Sequence, residues 1–244
     1  MSNAPAFPRI SIVVPVRNEA GNVAMLVDEI GAACAGLAPF ELIYVDDGST
    51  DATAEVVNDA RMSRPWLRLV KHKASCGQSA AVRTGVRHAR APVVVTLDGD
   101  GQNDPAFIPP LVAALDDPAV GIAAGQRVGR QDTASKRWQS KIANGVRERV
   151  LRDGTRDTGC GLKAFRRDVY LALPYFDALH RFMPALVKRE GHRVALVDVI
   201  DRPRHAGVSN YGLLDRLWVG ILDLAGVWWL LRRCRRVPIA QEMI

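Results

Sequence analysis

The stretch Val93-Val94-Val95-Thr96-Leu97-Asp98-Gly99-Asp100-Gly101-Gln102-Asn103-Asp104 passes from a β-rich apolar run directly into an acidic, glycine-punctuated turn. An earlier stretch, Glu41-Leu42-Ile43-Tyr44-Val45-Asp46-Asp47-Gly48-Ser49-Thr50-Asp51, has the same plan. Two strands thus deliver carboxylates to one edge of a sheet. In an open α/β sheet, ligands bind in the crevice outside the carboxyl ends of the strands. Acids placed there point to a nucleotide diphosphate carried with a divalent cation.

Outward from these turns, the first half of the chain alternates strand and helix patterns. Ile10 to Val16 reads as a strand and precedes a helical spacing of Val23, Leu26, Val27 and Ile30. Glu41 to Val45 precedes a helix after Asp51, Leu67 to Lys71 precedes a helix from about Gly77 to Ala89, and a further helix opens at Pro105. That rhythm predicts an α/β fold, with a mainly parallel sheet and helices on both faces. The second half is less regular. It reads as a helix near Ala134 to Leu151, a turn at Arg156 to Gly161, a helix around Phe182 to Glu190 and a strand near Val194 to Val199.

From Gly212 onward, Leu213, Leu214, Leu217, Trp218, Ile221, Leu222, Leu224, Ala225, Trp228 and Trp229 recur at threes and fours, the pattern of an amphipathic helix. Asp215, Arg216 and Asp223 interrupt it, so it lacks the roughly 20 apolar residues of a membrane span. With Arg232, Arg233, Arg235 and Arg236 following, it suits a helix lying at a membrane interface. Packing on the protein's own core or on a second subunit is the other reading. The chain divides on this view into a catalytic domain, residues 1–208, and a helix with a basic tail, residues 209–244.

Composition narrows the partners. With 33 basic and 26 acidic residues the net charge is +7, which suits a phosphate-bearing ligand. Cys34, Cys76, Cys160 and Cys234 have neither zinc spacing nor a Cys-x-x-Cys pair, as expected of reduced cytosolic thiols. Residues 1–9 lack the pattern of a secretory signal, so the catalytic domain is expected to face the cytoplasm. The basic helices carry no nucleic-acid reader motif, and no nucleic-acid partner is expected. The five histidines show no metal-binding spacing; His205 draws attention only through its loop.

The turns themselves suggest separate tasks. Asp98 and Asp100 flank Gly99 and approach one ligand, a hard-oxygen set that with the Gln102 amide suits Mg²⁺ or Mn²⁺. Asp51 is placed to cap the following helix, while Asp46 or Asp47 is the candidate acceptor for a base amide or a ribose hydroxyl.

Together, Val13-Val14-Pro15-Val16-Arg17-Asn18-Glu19, Val45 to Asp51 and Asp98 to Gln102 resemble the signature of family 2 glycosyltransferases with the GT-A fold. Asp157-Thr158-Gly159-Cys160-Gly161-Leu162-Lys163 and Arg202 to Gly212 resemble the subgroup that includes dolichol-phosphate mannose synthase and bacterial polyprenyl-phosphate glycosyltransferases. The resemblance implies that Pro15, Arg17, Glu19 and Asp46, with Asp47 and Ser209 nearby, line the nucleotide pocket. It implies that Asp98, Asp100 and Gln102 hold the metal and that Arg204 reaches the diphosphate. Arg127, Arg137 and Ser140 fall where the subgroup binds the acceptor lipid phosphate, with Arg130 and Lys136 as neighbours. Lys163, Cys160 and Asn210 depart from residues common in relatives. No Gln-x-x-Arg-Trp motif of processive polysaccharide synthases is present.

The implied reaction moves a hexose from a GDP-mannose-type or UDP-glucose-type donor to a polyprenyl or dolichyl phosphate at the cytoplasmic face of a membrane. A lipid phosphate is already anionic, so direct displacement needs no general base and inverts the anomeric carbon. The rival readings are transfer to a glycan or protein acceptor, a nucleotidyltransferase, and a non-catalytic nucleotide- or RNA-binding module. A homo-oligomer is compatible with all of them.

Overall fold

The computed structural model describes residues 7–128, 145, 147–202 and 213–233, with side chains from 220 onward in the last segment. The alternating patterns of the first half become β1 (Ile10–Val16), α1 (Ala20–Ala33), β2 (Phe40–Asp46), α2 (Thr53–Arg61), β3 (Leu67–Lys71), α3 (Gln78–His88) and β4 (Val93–Thr96). A short α4 (Ile108–Ala113) leads to β5 (Val120–Arg127). After a helical turn at 147–151 come β6 (Lys163–Arg166), α5 (Arg167–Ala172), α6 (Leu179–Arg189), β7 (Arg193–Val199) and α7 (Leu213–Arg232).

The strands form one seven-stranded sheet in the order β3-β2-β1-β4-β6-β5-β7. β1 runs parallel to β2 and β4, β2 to β3, and β5 to β7, while β6 is antiparallel to both of its neighbours. The sheet is therefore mostly parallel, as the alternation predicts, with one reversed strand that it does not. From β1 the chain moves outward to β2 and β3, then returns across β1 to β4. The loops after β1 and β4 consequently diverge from adjacent strands, and that divergence opens a crevice at their carboxyl ends. Register aligns Val16 with Asp46 and Val13 with Thr96, so both acidic turns leave the same edge.

Burial explains why these strands read as continuous apolar runs, since helices cover both faces. Ile10, Ile12, Val14 and Val16 of β1 point into a core with Val23, Leu26 and Ile30 of α1 and Ile108 and Leu111 of α4. Val13 points the other way, into a core with Val82 and Val86 of α3, Tyr170 of α5 and Phe182 and Met183 of α6. α7 joins this second core through Val227, which is 1% exposed, with Leu224 and Leu231 partly buried beside it. Its other side leaves Ile221, Leu222, Trp228 and Trp229 exposed. No helix among the described residues is long and apolar enough to cross a membrane. The expected division at 208–209, and all of the helix placed at 134–151 except 145 and 147–151, lie outside the described residues.

Candidate active site at the sheet edge

The turn after β2 separates two adjacent aspartates by function. Asp46 is fully buried; its Oδ1 accepts the Ser49 N–H at 2.8 Å, and its Oδ2 has no hydrogen-bond partner among the described residues. The Lys71 ammonium, at the end of β3, stands 3.7 Å from that oxygen, a loose ion pair rather than a hydrogen bond. Asp47 instead pins the loop before α3. Its Oδ1 meets His72 Nδ1 at 2.7 Å and the Cys76 N–H at 2.8 Å, and its Oδ2 accepts from Ser75 Oγ at 2.8 Å and the Gly77 N–H at 2.9 Å. Burial pushes the Asp47 carboxyl up, but the bonds from Cys76, His72, Ser75 and Gly77 outweigh it and hold the group below its ordinary range. Gly48 fits this close approach: its φ is +70°, and a Cβ there would lie 2.7 Å from Ser75 N.

Asp47, His72 and Cys76 bring their donor atoms within 4.8 Å of one another, a possible metal-holding cluster. Both Asp47 oxygens are already committed to the loop, and a thiol is a poor partner for Mg²⁺ or Mn²⁺. This cluster works as a clamp. Asp51 stands one residue before the cap position of α2, which is Ala52, and accepts from Thr53 N–H at 3.0 Å and Thr53 Oγ1 at 2.5 Å, so it orders the turn into the helix without being its N-cap.

The turn after β4 gathers the second acidic set. Asp98 accepts from Gln78 Nε2 at 2.7 Å, and its own N–H donates to Asn103 Oδ1 at 2.9 Å. Asp100 is 9% exposed and accepts the Gln102 N–H at 3.1 Å. Burial, then the neighbouring Asp100 charge, raise the Asp98 carboxyl to about 6, against the opposing effect of Lys163 and Arg127. Gly161 leaves room for this carboxylate, because a Cβ there would lie 2.3 Å from Asp98 Oδ2. Two crowded carboxylates, hard-oxygen donors and a glycine cradle fit a divalent cation held by Asp98 and Asp100, with the half-buried Gln102 beside them.

Behind the carboxylates, Lys163 at the start of β6 is buried and donates to the Cys160 carbonyl, while burial lowers its ammonium against the opposing charge of Asp98. Pro15, Gln78, Asp98, Gly161, Lys163 and His180 line a small cavity here. Arg127 lies at the end of β5 with its guanidinium held by Asp157 at 2.5 and 2.9 Å and by Asp201 at 3.2 Å. Asn103 Nδ2 reaches Asp201 Oδ1 at 3.3 Å, and Arg202 pairs with Glu29 at 2.8 Å and Asp104 at 2.7 Å. The acidic turn is thereby stitched to the chain beyond β7.

Pro15 and Glu19 sit half-buried at the crevice and Arg17 is exposed at its rim. Glu19 is held by Asn22 Nδ2 at 2.6 Å, and its N–H donates to Thr53 Oγ1 at 2.9 Å. Arg137, Ser140, Arg204 and Ser209, with Arg130 and Lys136, lie outside the described residues. Sequence reasoning singled out neither Asp201, Gln78 nor the His72 clamp. Asp157 and Lys163 were visible only as parts of a motif, since their partners are distant in sequence.

Similarity places this geometry in a family. Residues 11–173 match the glycosyl transferase family 2 model. The dodecaprenyl-phosphate galacturonate synthase of Rhizobium johnstonii is 36% identical over 230 residues, covering 91% of this chain and 67% of that protein. The undecaprenyl-phosphate 4-deoxy-4-formamido-L-arabinose transferase of Edwardsiella ictaluri is 34% identical over 217 residues, covering 88% and 66%. Its namesake from Pseudomonas savastanoi is 36% identical over 205 residues, covering 83% and 60%. The chain thus spans 60–67% of the length of these relatives.

Among solved structures, the glucosyl-3-phosphoglycerate synthase of Mycobacterium tuberculosis, in complex with Mn²⁺, UDP and glucosyl-3-phosphoglycerate, superposes with a TM-score of 0.68 at 20% identity, covering 94% of this chain and 80% of that one. A mannosyltransferase of Pyrobaculum calidifontis, in complex with GDP-mannose and Mn²⁺, gives 0.67 at 22%, covering 96% and 67%. These likenesses establish the GT-A fold. With its two acidic turns at the switch point and a family match over most of its length, the chain belongs to glycosyl transferase family 2.

Proposed function

We propose that this chain is an inverting, divalent-cation-dependent hexosyltransferase, moving a hexose from a nucleotide-diphosphate sugar to a polyprenyl or dolichyl phosphate. The observation that carries this reading is one crevice holding both a base-type acceptor, Asp46, and the Asp98–Asp100 turn, in a chain whose relatives are named for polyprenyl-phosphate sugar transfer.

Asp46 holds the base, Pro15, Arg17 and Glu19 line the pocket, and Asp47 keeps the 72–77 loop in position before any ligand arrives. Asp98, Asp100 and Gln102 would hold Mg²⁺ or Mn²⁺, which would supply positive charge toward the leaving diphosphate. The acceptor oxygen is already ionised at neutral pH, so this site needs no carboxylate or imidazole as a base. Arg204, Arg137 and Ser140 offset repulsion between the two phosphates, while Arg127, held by Asp157 and Asp201, orders the floor beneath them. A single displacement inverts the anomeric carbon. The exposed face of α7 lies against the headgroups on the cytoplasmic side, where Arg232 stacks 4.1 Å over the Trp228 ring.

The test is incubation of the chain with sugar nucleotides, polyprenyl phosphate and Mg²⁺ or Mn²⁺, with mass detection of glycosylated lipid. The expected result is sugar transfer with free nucleoside diphosphate released. Asp100→Ala should lower turnover by at least about a hundredfold. Pyrophosphate among the products would mark a nucleotidyltransferase instead, and undiminished activity without polyprenyl phosphate would mark another acceptor.

A further inference from the structure

The Asp46 carboxylate presents an unusual imbalance. Oδ1 is committed to the Ser49 N–H, whereas Oδ2 is sealed from solvent without a hydrogen bond among the described residues. A buried acceptor left unpaired is costly, which marks Oδ2 as reserved for a donor that arrives with a ligand. Among the described residues the charged group beside it is Lys71, paired in register with Asp46 across β2 and β3, its side chain 51% exposed and its ammonium 3.7 Å from Oδ2. A half-exposed lysine at that distance is close enough to shield the oxygen and free enough to move.

We propose that Lys71 is a specificity-determining residue of the donor site, covering Asp46 in the free enzyme and moving to a base carbonyl when uracil docks. This rests on the glycosyltransferase reading. Uracil presents one ring N–H flanked by two carbonyls. The N–H replaces the ammonium at Oδ2, and the displaced ammonium donates to a carbonyl one atom away. Guanine brings two neighbouring N–H donors to a carboxylate with one oxygen left. Adenine and cytosine place a ring-nitrogen lone pair beside their amino group, turning it toward the carboxylate. A site built from buried polar groups discriminates strongly because the wrong base leaves them unpaired.

The experiment measures binding of UDP, GDP, CDP and ADP to the full chain with Mn²⁺, by calorimetry, for the wild type, Lys71→Met and Lys71→Arg. The wild type should favour UDP by at least about tenfold over the other three. Lys71→Met should weaken UDP about tenfold and compress the ranking, while Lys71→Arg stays within about threefold of wild type. In a transfer assay Lys71→Met should raise the donor KM with kcat little changed. Tight UDP binding that Lys71→Met leaves intact, with the base ranking preserved, overturns the role of Lys71. A wild-type preference for GDP overturns the uracil assignment. Failure of the wild type to bind any nucleoside diphosphate overturns the donor-site reading itself.

Discussion

His180 is a histidine whose surroundings decide its charge. Burial, followed by the Lys163 and Arg181 charges, lowers its imidazolium to about 3, and its Nδ1 lies 2.7 Å from Ser79 Oγ. The unfolded imidazole takes up a proton near pH 6.5, which the native one refuses until about 3. Stability therefore falls as the pH drops below 6.5, by about 1.4 kcal/mol per unit. Asp98 works with the opposite sign: its raised native value, about 6, makes the native state hold a proton that the unfolded state has released. Asp47, lowered in the native state, adds no slope between pH 5 and 7, because its stabilisation is lost only below its unfolded value of 3.8. The histidine contribution is thus isolated by difference. Urea unfolding of wild type and His180→Gln should show the wild-type advantage shrinking by about 2 kcal/mol between pH 7 and pH 5; parallel pH profiles would refute it. Asp46, Asp47, Asp98 and Asp100 were legible as a set, since Asp46 and Asp98 directly follow apolar runs and Asp47 and Asp100 lie within two residues of those two acids. What divides Asp46 from Asp47 was not, because the clamp comes from His72, Ser75, Cys76 and Gly77, some 25 to 30 residues further along.

At the scale of elements, α3 lies close against β1. A Cβ added at Gly85 would come within 2.3 Å of Val13 Cγ1, inside the second core, whereas at Gly36 nothing lies within 4 Å. Gly85→Ala should lower stability by about 1–3 kcal/mol through overpacking, and Gly36→Ala should leave the chemical-denaturation midpoint nearly unchanged. An undisturbed Gly85→Ala midpoint would mean that α3 shifts freely on the sheet. The strands legible in sequence were those rich in branched apolar residues, as in Ile10–Val16 and Val93–Thr96. β5 went unread because Val120-Gly121-Ile122-Ala123-Ala124-Gly125 is dominated by small residues. Its glycines have a packing reason: a Cβ at Gly121 would meet His192 at 2.7 Å, and one at Gly125 would meet Cys160 Sγ at 2.9 Å. β6 has only four residues and takes its direction from β4 and β5, which no local pattern encodes.

Across the whole molecule, the net charge of +7 and the exposed side of α7 act in the same direction. Val227 of that helix enters the protein's own core, while Leu222 and Trp229, 69% and 55% exposed, remain outside it. Cosedimentation with vesicles containing anionic lipid should decline as salt rises. Trp228→Ser combined with Trp229→Ser should weaken it by about tenfold or more. Unchanged binding would assign the face to a second copy or to another surface. The sheet has a further consequence for cooperativity. β6 pairs with β4 on one side and β5 on the other, so among the described strands it alone joins the β3-β2-β1-β4 block to the β5-β7 block. Opening those four residues would unzip the molecule along its midline and take Lys163 from behind Asp98. Their amides should be among the slowest to exchange with deuterium, and the donor crevice should have no partly unfolded state in which it survives alone.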